Sequence, residues 1–140
     1  MAPEQTALFL SLKPQYAEML LDGRKTVELR RVRPAAIPGS TVLLYASSPT
    51  KTLVGRAEVA DIQVDSVDEI WSAYGDRTGI TEDQFHAYFS GLDDAVAIKL
   101  RRIRRLERPR PLDDLRGRLT GFRPPQSYRY LDGQELAALI

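Results

Sequence analysis

The chain has no cysteine and only one histidine among its 140 residues. Without cysteine it cannot form a disulfide, a thiolate nucleophile or a zinc site built on cysteine, and a single histidine excludes most histidine-rich metal sites. We therefore expect a protein without a metal or another cofactor. The lack of disulfides also fits a reducing compartment, and we expect a cytoplasmic location.

Long apolar runs are absent as well. No stretch reaches the roughly 18 to 20 consecutive apolar residues that a membrane-spanning helix needs, so we expect no membrane partner. Residues 1–6 lack the basic region and the apolar stretch of a signal peptide. With 43% apolar and 28% charged residues, the composition is typical of a globular protein, and the length predicts a single domain over residues 1–140.

Charge is unevenly distributed along the chain. Residues 99–123 contain ten basic and three acidic residues, so this stretch carries +7 and the rest of the chain −6, although the net charge is only +1. If folding brings this stretch next to a second basic group, the two form a positive face that can concentrate a polyanion. Alternatively, the arginines keep an exposed strand soluble and unpaired. The second basic group consists of Arg24, Lys25, Arg30, Arg31 and Arg33.

Apolar alternation and helix-start signals predict an α+β chain of several strands and short helices. Pro14 and Gly23 mark the start and the end of the first helix. Later helices begin at three capping-box patterns, whose first residues are Ser66, Thr81 and Asp132. The predicted strands are residues 7–12, 26–30, 41–46, 53–62 and 95–108, and the predicted helices are 14–22, 67–74, 82–90, a turn at 113–117 and a last helix after Asp132.

The longest predicted strand contains a break in its apolar alternation. The phase changes after Leu100, which predicts a β-bulge near Arg101 and Arg102 that turns arginines to one side. The proline pair after Arg123 predicts an extended loop. Several strands with few helices and several non-local pairings favour a small mixed β-barrel with flanking short helices over parallel β-α-β units.

Residues 23–30 concentrate more polar chemistry than any other segment of the chain. If they form a strand, Thr26, Glu28 and Arg30 share one face, and the apolar residues between them share the other. The apolar face then belongs to the core, and the polar face is the candidate functional one.

Lys25 and Glu28 are the candidate catalytic pair. A lysine beside a carboxylate in a partly enclosed cleft holds or releases its charge with small changes in solvation, as a general base or an electrostatic clamp does. The alternative is an ion-pair network of these two residues with Arg30 that only shapes the mouth of the cleft.

Other polar residues are candidates for holding a ligand. Lys13 precedes a helix, where free backbone amides favour an anion. Ser47 and Ser48 lie at a turn that can hold a phosphate or can be an ordinary hairpin. Residues 126–129 combine groups that stack on and hydrogen-bond an unpaired base, although Tyr128 can equally pack against the last helix. The candidate binding residues are thus Lys13, Lys25, Glu28, Arg30, Arg31, Ser47, Ser48, Gln126, Ser127, Tyr128 and Arg129.

Gly23, Lys25, Glu28 and Arg30 match the pattern G-x-K-x-x-E-x-R without a mismatch. Through this pattern the chain resembles an ASCH domain, a branch of the PUA-like superfamily. The resemblance implies a small β-barrel with a cleft lined by the motif and binding of RNA or single-stranded nucleic acid, with hydrolytic activity in some branches. Further segments that resemble the family lie at residues 10–17, 45–49 and 122–129.

We therefore expect a nucleic-acid-binding module that holds single-stranded RNA or a nucleotide-like ligand in the motif cleft. The alternative is a hydrolase that acts on a modified nucleoside or on RNA, the latter as a metal-independent ribonuclease with Glu28 near the 2′-hydroxyl and Lys25 or Arg30 at the phosphate. The family branch that hydrolyses an acetylated cytosine nucleoside carries a threonine at the position of Glu28, so the chain departs from that site. A protein-interaction adaptor is a third possibility.

Overall fold

In the computed structural model, which describes residues 5–140, six strands form one mixed sheet in the order β2-β5-β4-β3-β1-β6. Strands β1 and β3 run parallel, and every other pair of neighbours is antiparallel. The prediction that the chain has no signal peptide rests on residues 1–6. The first four of these lie outside the described range. The strands are β1 (Gln5–Leu12), β2 (Val27–Arg30), β3 (Thr41–Ala46), β4 (Thr52–Ser66), β5 (Asp94–Pro111) and β6 (Tyr128–Asp132).

Five short helices flank the sheet, and a single 3-10 turn follows the second of them. None of the helices in the described part of the chain is long and apolar enough to cross a membrane. The helices are α1 (Pro14–Leu21), α2 (Val67–Tyr74), α3 (Glu82–Tyr88), α4 (Leu112–Arg118) and α5 (Gly133–Leu139).

The helix starts confirm the predicted signals. The side chain of Ser66 accepts a hydrogen bond from the Glu69 amide, and complete capping boxes begin at Thr81 and Asp132. Gly23 follows the end of α1 with a φ of +86°, a conformation that glycine adopts without the steric cost of a side chain. These signals act between residues close in sequence, so the sequence alone locates them.

The predicted bulge in β5 is also confirmed. The pairing with β4 shifts between Glu58, opposite Arg101, and Arg56, opposite Arg104. Arg102 absorbs the extra residue with a φ of +52°. Strand β6, by contrast, was not predicted, because its polar sequence after two prolines indicates a loop and only its pairing with β1 makes it a strand.

The prediction of a closed barrel is wrong, because the sheet stays open between its edge strands β2 and β6. The four residues of β2 pair with β5 alone. In place of a strand ladder, the Arg30 side chain reaches across the gap and donates hydrogen bonds to Ser11 O at 3.2 Å and Ser127 Oγ at 3.0 Å. A side chain thus bridges the two ends of the sheet and leaves room for a cavity beside it.

Three clusters of buried side chains hold these elements together. The first lies between the sheet and α1, the second packs under α4 and α5, and the third joins α2 and α3 to β2 and the start of β5. Helix α1 approaches the sheet closely at Gly55, where an added Cβ would lie 2.6 Å from Leu21 Cδ2 and 2.8 Å from Arg104 O. The small residue therefore allows α1, which carries part of the site, to sit directly on β4.

Candidate functional site

A cavity of about 810 Å³ opens between β2, α1, α3 and the carboxyl ends of β1 and β3. Its volume falls within the usual range of small-molecule sites, roughly 300 to 1,000 Å³. It is lined by Ser11, Leu12, Lys13, Tyr16, Lys25, Glu28, Leu29, Arg30, Ser47, Ile80, Gln84, Ala87, Tyr88, Gln126 and Ser127.

Glu28 lies at the centre of a buried ion-pair network in the wall of this cavity. Its Oε1 is 3.1 Å from Lys25 Nζ, and its Oε2 is 2.5 Å from an Arg30 terminal nitrogen. Lys25, Glu28 and Arg30 are 3%, 7% and 8% exposed, so the network is shielded from bulk water. Because two cations share one carboxylate, a positive charge remains for a ligand.

All three N–H donors of the Lys25 ammonium group have partners within the protein. Besides Glu28, Nζ donates to Val27 O at 2.9 Å and to Thr78 O at 2.6 Å. An ammonium group has three N–H donors, and each of them has an acceptor here. The Tyr16 ring lies 5.6 Å from the same nitrogen. This geometry anchors the segment of Thr78 to β2 and keeps the lysine in place.

The pKa of the Glu28 carboxyl lies below its ordinary value of 4.5. Burial alone raises this pKa, but the opposing charges of Lys25 and Arg30, together with their hydrogen bonds, outweigh the burial and lower it. Glu28 is therefore ionised at neutral pH.

We expect the ionisation of Glu28 to stabilise the fold at neutral pH and not in acid. Because the pKa is lower in the folded chain than in the unfolded one, this contribution is complete above pH 4.5 and is lost as the pH falls through the lowered folded value. Urea unfolding of the wild type and of Glu28→Gln across this pH range measures it. The stability of the variant should fall less steeply with acid, and equal slopes would contradict the assignment. Glu18 and Asp22 are exposed carboxyls whose pKa values are lowered as well. Both are present in the wild type and in the variant, so their contributions cancel when the two stability curves are subtracted.

Arg30 and Ser11, two residues of the cavity lining, each contain a buried polar atom without a partner in the described part of the chain. Arg30 Nε and Ser11 Oγ are buried, and neither has a hydrogen-bond partner among residues 5–140. Buried polar atoms normally have partners, and neither of these atoms is accessible from the cavity, so a ligand would contact them only after a side chain moves.

Several predicted binding residues meet at this cavity although they are distant in sequence. Lys13, at the start of α1, is exposed and has no side-chain partner within the described chain. Ser47 follows the end of β3, and Gln126 and Ser127 precede β6. Together with Arg30 they form the polar side of the cavity.

The remaining candidate binding residues lie outside the cavity lining. Arg31 Nε donates to the backbone oxygen of Tyr88 at 2.8 Å, and Tyr88 itself lines the cavity. Tyr128 packs against the cluster under α1, and Arg129 pairs with Glu135 at 2.5 Å. Ser48 is exposed in the turn after β3 and does not line the cavity.

The expected meeting of the two basic groups does not occur at the cavity. No residue between positions 99 and 123 lines it. The arginines of β5 extend instead along β4, where Arg101 pairs with Glu58, and towards α1, where Arg105 pairs with Glu18. Strand β5 passes the site only where Ala97 and its neighbours pair with β2.

Ser11, Tyr16, Gln84 and Tyr88 line the cavity but are not among the residues that the sequence singles out. Ser11 carries a usable signal, since it is the single polar residue in the apolar run 7–12. The two tyrosines fit the apolar faces of their helices, so their positions indicate core packing. The Gln84 side chain is explained by the capping box. Within the described range, no group of three or more histidine, aspartate and glutamate side chains is arranged to hold a metal ion.

Comparison with known proteins gives consistent matches over most of the chain. The model of a family described as a domain of unknown function, DUF365, matches residues 6–116. An ASCH domain-containing ribonuclease from Zymomonas mobilis is 34% identical over 138 residues, which cover 99% of this chain and 93% of the relative.

Solved structures give the same picture at the level of the fold. The crystal structure of ASCH from Zymomonas mobilis matches with a TM-score of 0.90 and 34% identity, over 96% of this chain and 93% of that one. The N-terminal domain of McrB from Staphylothermus marinus matches with a TM-score of 0.60 and 15% identity, over 98% of this chain and 94% of that one. The second match shows a shared fold alone.

Proposed function

The chain belongs to the ASCH-domain family, and from this premise we propose that it is a ribonuclease that cleaves single-stranded RNA at the cavity beside Lys25, Glu28 and Arg30. The observation that carries the proposal is a cavity of nucleotide size whose wall contains the buried cations Lys25 and Arg30. The Zymomonas mobilis relative, which is similar to this chain over nearly its full length, is described as a ribonuclease, and this supports the choice of RNA as substrate. We further propose a cytoplasmic location, in keeping with the lack of cysteine.

The charges of the cavity support an anionic substrate. Among the residues that the structure describes, Lys13, Lys25 and Arg30 line it together with a single carboxylate, that of Glu28. A phosphodiester brings one negative charge and acceptor oxygens, which suit a guanidinium and a nearby hydroxyl. The rings of Tyr16 and Tyr88 provide aromatic surface on which a base can stack.

The proposed reaction is attack of a 2′-hydroxyl on the adjacent phosphorus. The new bond joins the 2′-oxygen to phosphorus and gives a 2′,3′-cyclic phosphate, the bond to the 5′-oxygen breaks, and the leaving 5′-oxygen takes up a proton from water. Negative charge builds on the non-bridging oxygens, where Arg30 and Lys13 stabilise it. Glu28 is the one carboxylate in the described cavity wall and therefore the proposed acceptor of the hydroxyl proton. Its lowered pKa makes it a weak base, so we expect a slow enzyme.

A second candidate function is binding of single-stranded RNA or a nucleotide-like ligand without turnover. One observation favours it: the three donors of Lys25 and both oxygens of Glu28 are already engaged with each other and with the protein. Such a network can shape the cavity wall without taking part in proton transfer.

Incubation with a 5′-labelled single-stranded RNA oligomer separates the two functions. We expect the wild type to cleave the RNA, in a chelating buffer as in one with Mg²⁺, and to leave DNA of the same sequence intact because DNA lacks the attacking hydroxyl. Glu28→Gln should abolish cleavage and retain most of the binding. Glu69→Gln, which removes an exposed carboxylate from α2, away from the cavity lining, is the matched control and should cleave normally.

Binding of RNA without cleavage in either buffer would favour the second function. Cleavage of an RNA whose 2′-hydroxyls are all methylated would contradict the proposed attack.

A further inference from the structure

Four exposed arginines occupy one patch of β4 and β5 that contains, within residues 5–140, a single carboxylate, that of Glu58. Arg101 Nε lies 3.3 Å from Glu58 Oε1, and an Arg102 terminal nitrogen lies 3.4 Å from Glu58 Oε2. Arg56 and Arg104 complete the patch, which we call the arginine surface. Its charge is strongly positive because Glu58 is the one acid within it.

Arg56 and Arg104 form a like-charge pair. They lie directly opposite each other on neighbouring antiparallel strands, so their side chains leave the same face of the sheet. Neither side chain has a hydrogen-bond or ion-pair partner among the described residues. Like charges directly opposite in a ladder destabilise it, so a counter-charge from outside the chain would relieve this pair.

The bulge in β5 enlarges the surface at a cost in backbone energy. Arg102 has a φ of +52°, in a backbone region that residues other than glycine, asparagine and aspartate seldom adopt. As a result, the consecutive residues Arg101 and Arg102 both reach the Glu58 carboxylate, whereas a regular strand would point them to opposite faces. Strained backbone of this kind is more frequent at functional positions.

The arginine surface is separate from the cavity. No residue of β4 or β5 lines the cavity, and none of the four arginines contacts the Glu28 network. It is therefore not an extension of the site already described.

Protection of an open strand edge explains only part of this surface. Beyond Leu100, β5 has no neighbouring strand on its outer side within the described chain, and exposed charges on such an edge discourage pairing with other molecules. Arg56, however, lies on β4, an inner strand between β5 and β3. Edge protection gives no reason for an unpaired charge at that position.

We infer that the arginine surface binds the phosphodiester backbone of an RNA strand at a second site outside the cavity. The choice of RNA rests on the proposed function, whereas the existence of a polyanion site rests on the charges alone. Guanidinium groups donate paired hydrogen bonds to phosphate oxygens, so arginine fits this partner better than lysine would. Contacts of this kind supply affinity that depends on strand length and salt and not on base sequence.

The test compares the double variant Arg56→Gln/Arg104→Gln with the wild type by fluorescence anisotropy of a labelled 20-nucleotide oligouridylate at several salt concentrations. Loss of two phosphate contacts should reduce the slope of log Kd against log salt by about 1.4 and weaken binding roughly tenfold near 0.1 M salt. The control is Lys51→Gln/Arg77→Gln, which removes the same charge from exposed positions outside this surface and outside the cavity lining and should leave the slope unchanged. Turnover of the dinucleotide UpU, which is too short to span two sites, should be equal in all three proteins.

The outcomes distinguish this inference from the proposed function. No turnover of UpU or of longer RNA by any of the proteins, with the slope still reduced in the arginine double variant, would remove the ribonuclease and leave the second site in place. Normal turnover with an unchanged slope would overturn the second site. An unchanged slope with aggregation of the variant would assign the arginines to edge protection. Binding to vesicles of phosphatidylcholine and phosphatidylserine that depends on this pair, with RNA binding unaffected, would overturn RNA as the partner.

Discussion

Replacement of Glu28 by alanine is expected to destabilise the fold by about 3–5 kcal/mol, because it leaves two buried cations without a compensating charge. Lys25 and Arg30 are 3% and 8% exposed, so water cannot take over the role of the carboxylate unless the structure opens. For a chain of this length such a loss corresponds to a fall in Tm of roughly 10–20 °C. Urea and thermal unfolding followed by circular dichroism measure both quantities.

The matched control for Glu28→Ala is Glu58→Ala. Glu58 also pairs with two arginines, but these are 50% and 66% exposed, so its removal should change stability by about 1 kcal/mol or less. Glu28→Gln should fall between the two, since an amide keeps an oxygen that accepts hydrogen bonds from one cation. A change of less than 1 kcal/mol in Glu28→Ala would show that the three groups are not the shielded network that the structure describes.

The proposed ribonuclease activity predicts that replacement of Arg30 by lysine reduces kcat/KM on RNA by roughly 10²- to 10³-fold. Lysine keeps the positive charge beside Glu28 but loses the planar fork that contacts Glu28, Ser11 and Ser127 at once. The donors would then no longer be held where charge develops on the phosphate. Steady-state kinetics on an RNA oligomer measure this loss, and a thermal melt of the same sample separates it from unfolding.

Arg105→Lys is the control for this substitution. Arg105 also pairs with a glutamate, Glu18, but it is exposed and lies away from the cavity lining. We expect kcat/KM of this variant to stay within twofold of the wild type. If Arg30→Lys were equally active, charge alone would suffice at this position, and the role proposed for the guanidinium fork would be wrong.

The sequence by itself determined the local elements of this protein. The helix starts at Pro14, Ser66, Thr81 and Asp132 and the bulge near Arg102 were all predicted correctly. Each depends on hydrogen bonds or side-chain alternation among residues a few positions apart, so the information is contained in a short stretch of chain.

The sequence also identified the motif residues that carry the polar chemistry of the cavity wall. Lys25, Glu28 and Arg30 stand out because charged residues are concentrated there, and Glu28 and Arg30 alternate with the apolar Val27 and Leu29 in β2. The same pattern could not tell whether these charges face water or one another. Their burial depends on α3 and on the segment before β6, which lie far away in sequence.

Only the tertiary structure decided the open sheet and the cavity. The Arg30 side chain bridges the two ends of the open sheet by a hydrogen bond to Ser127, 97 positions away. Lys25 donates to the carbonyl of Thr78, 53 positions away. The tertiary structure also places the arginines of β5 away from the cavity, and the pairing with β1 makes residues 128–132 a strand. Contacts at such separations depend on how the whole core packs, and no local pattern of residues encodes them.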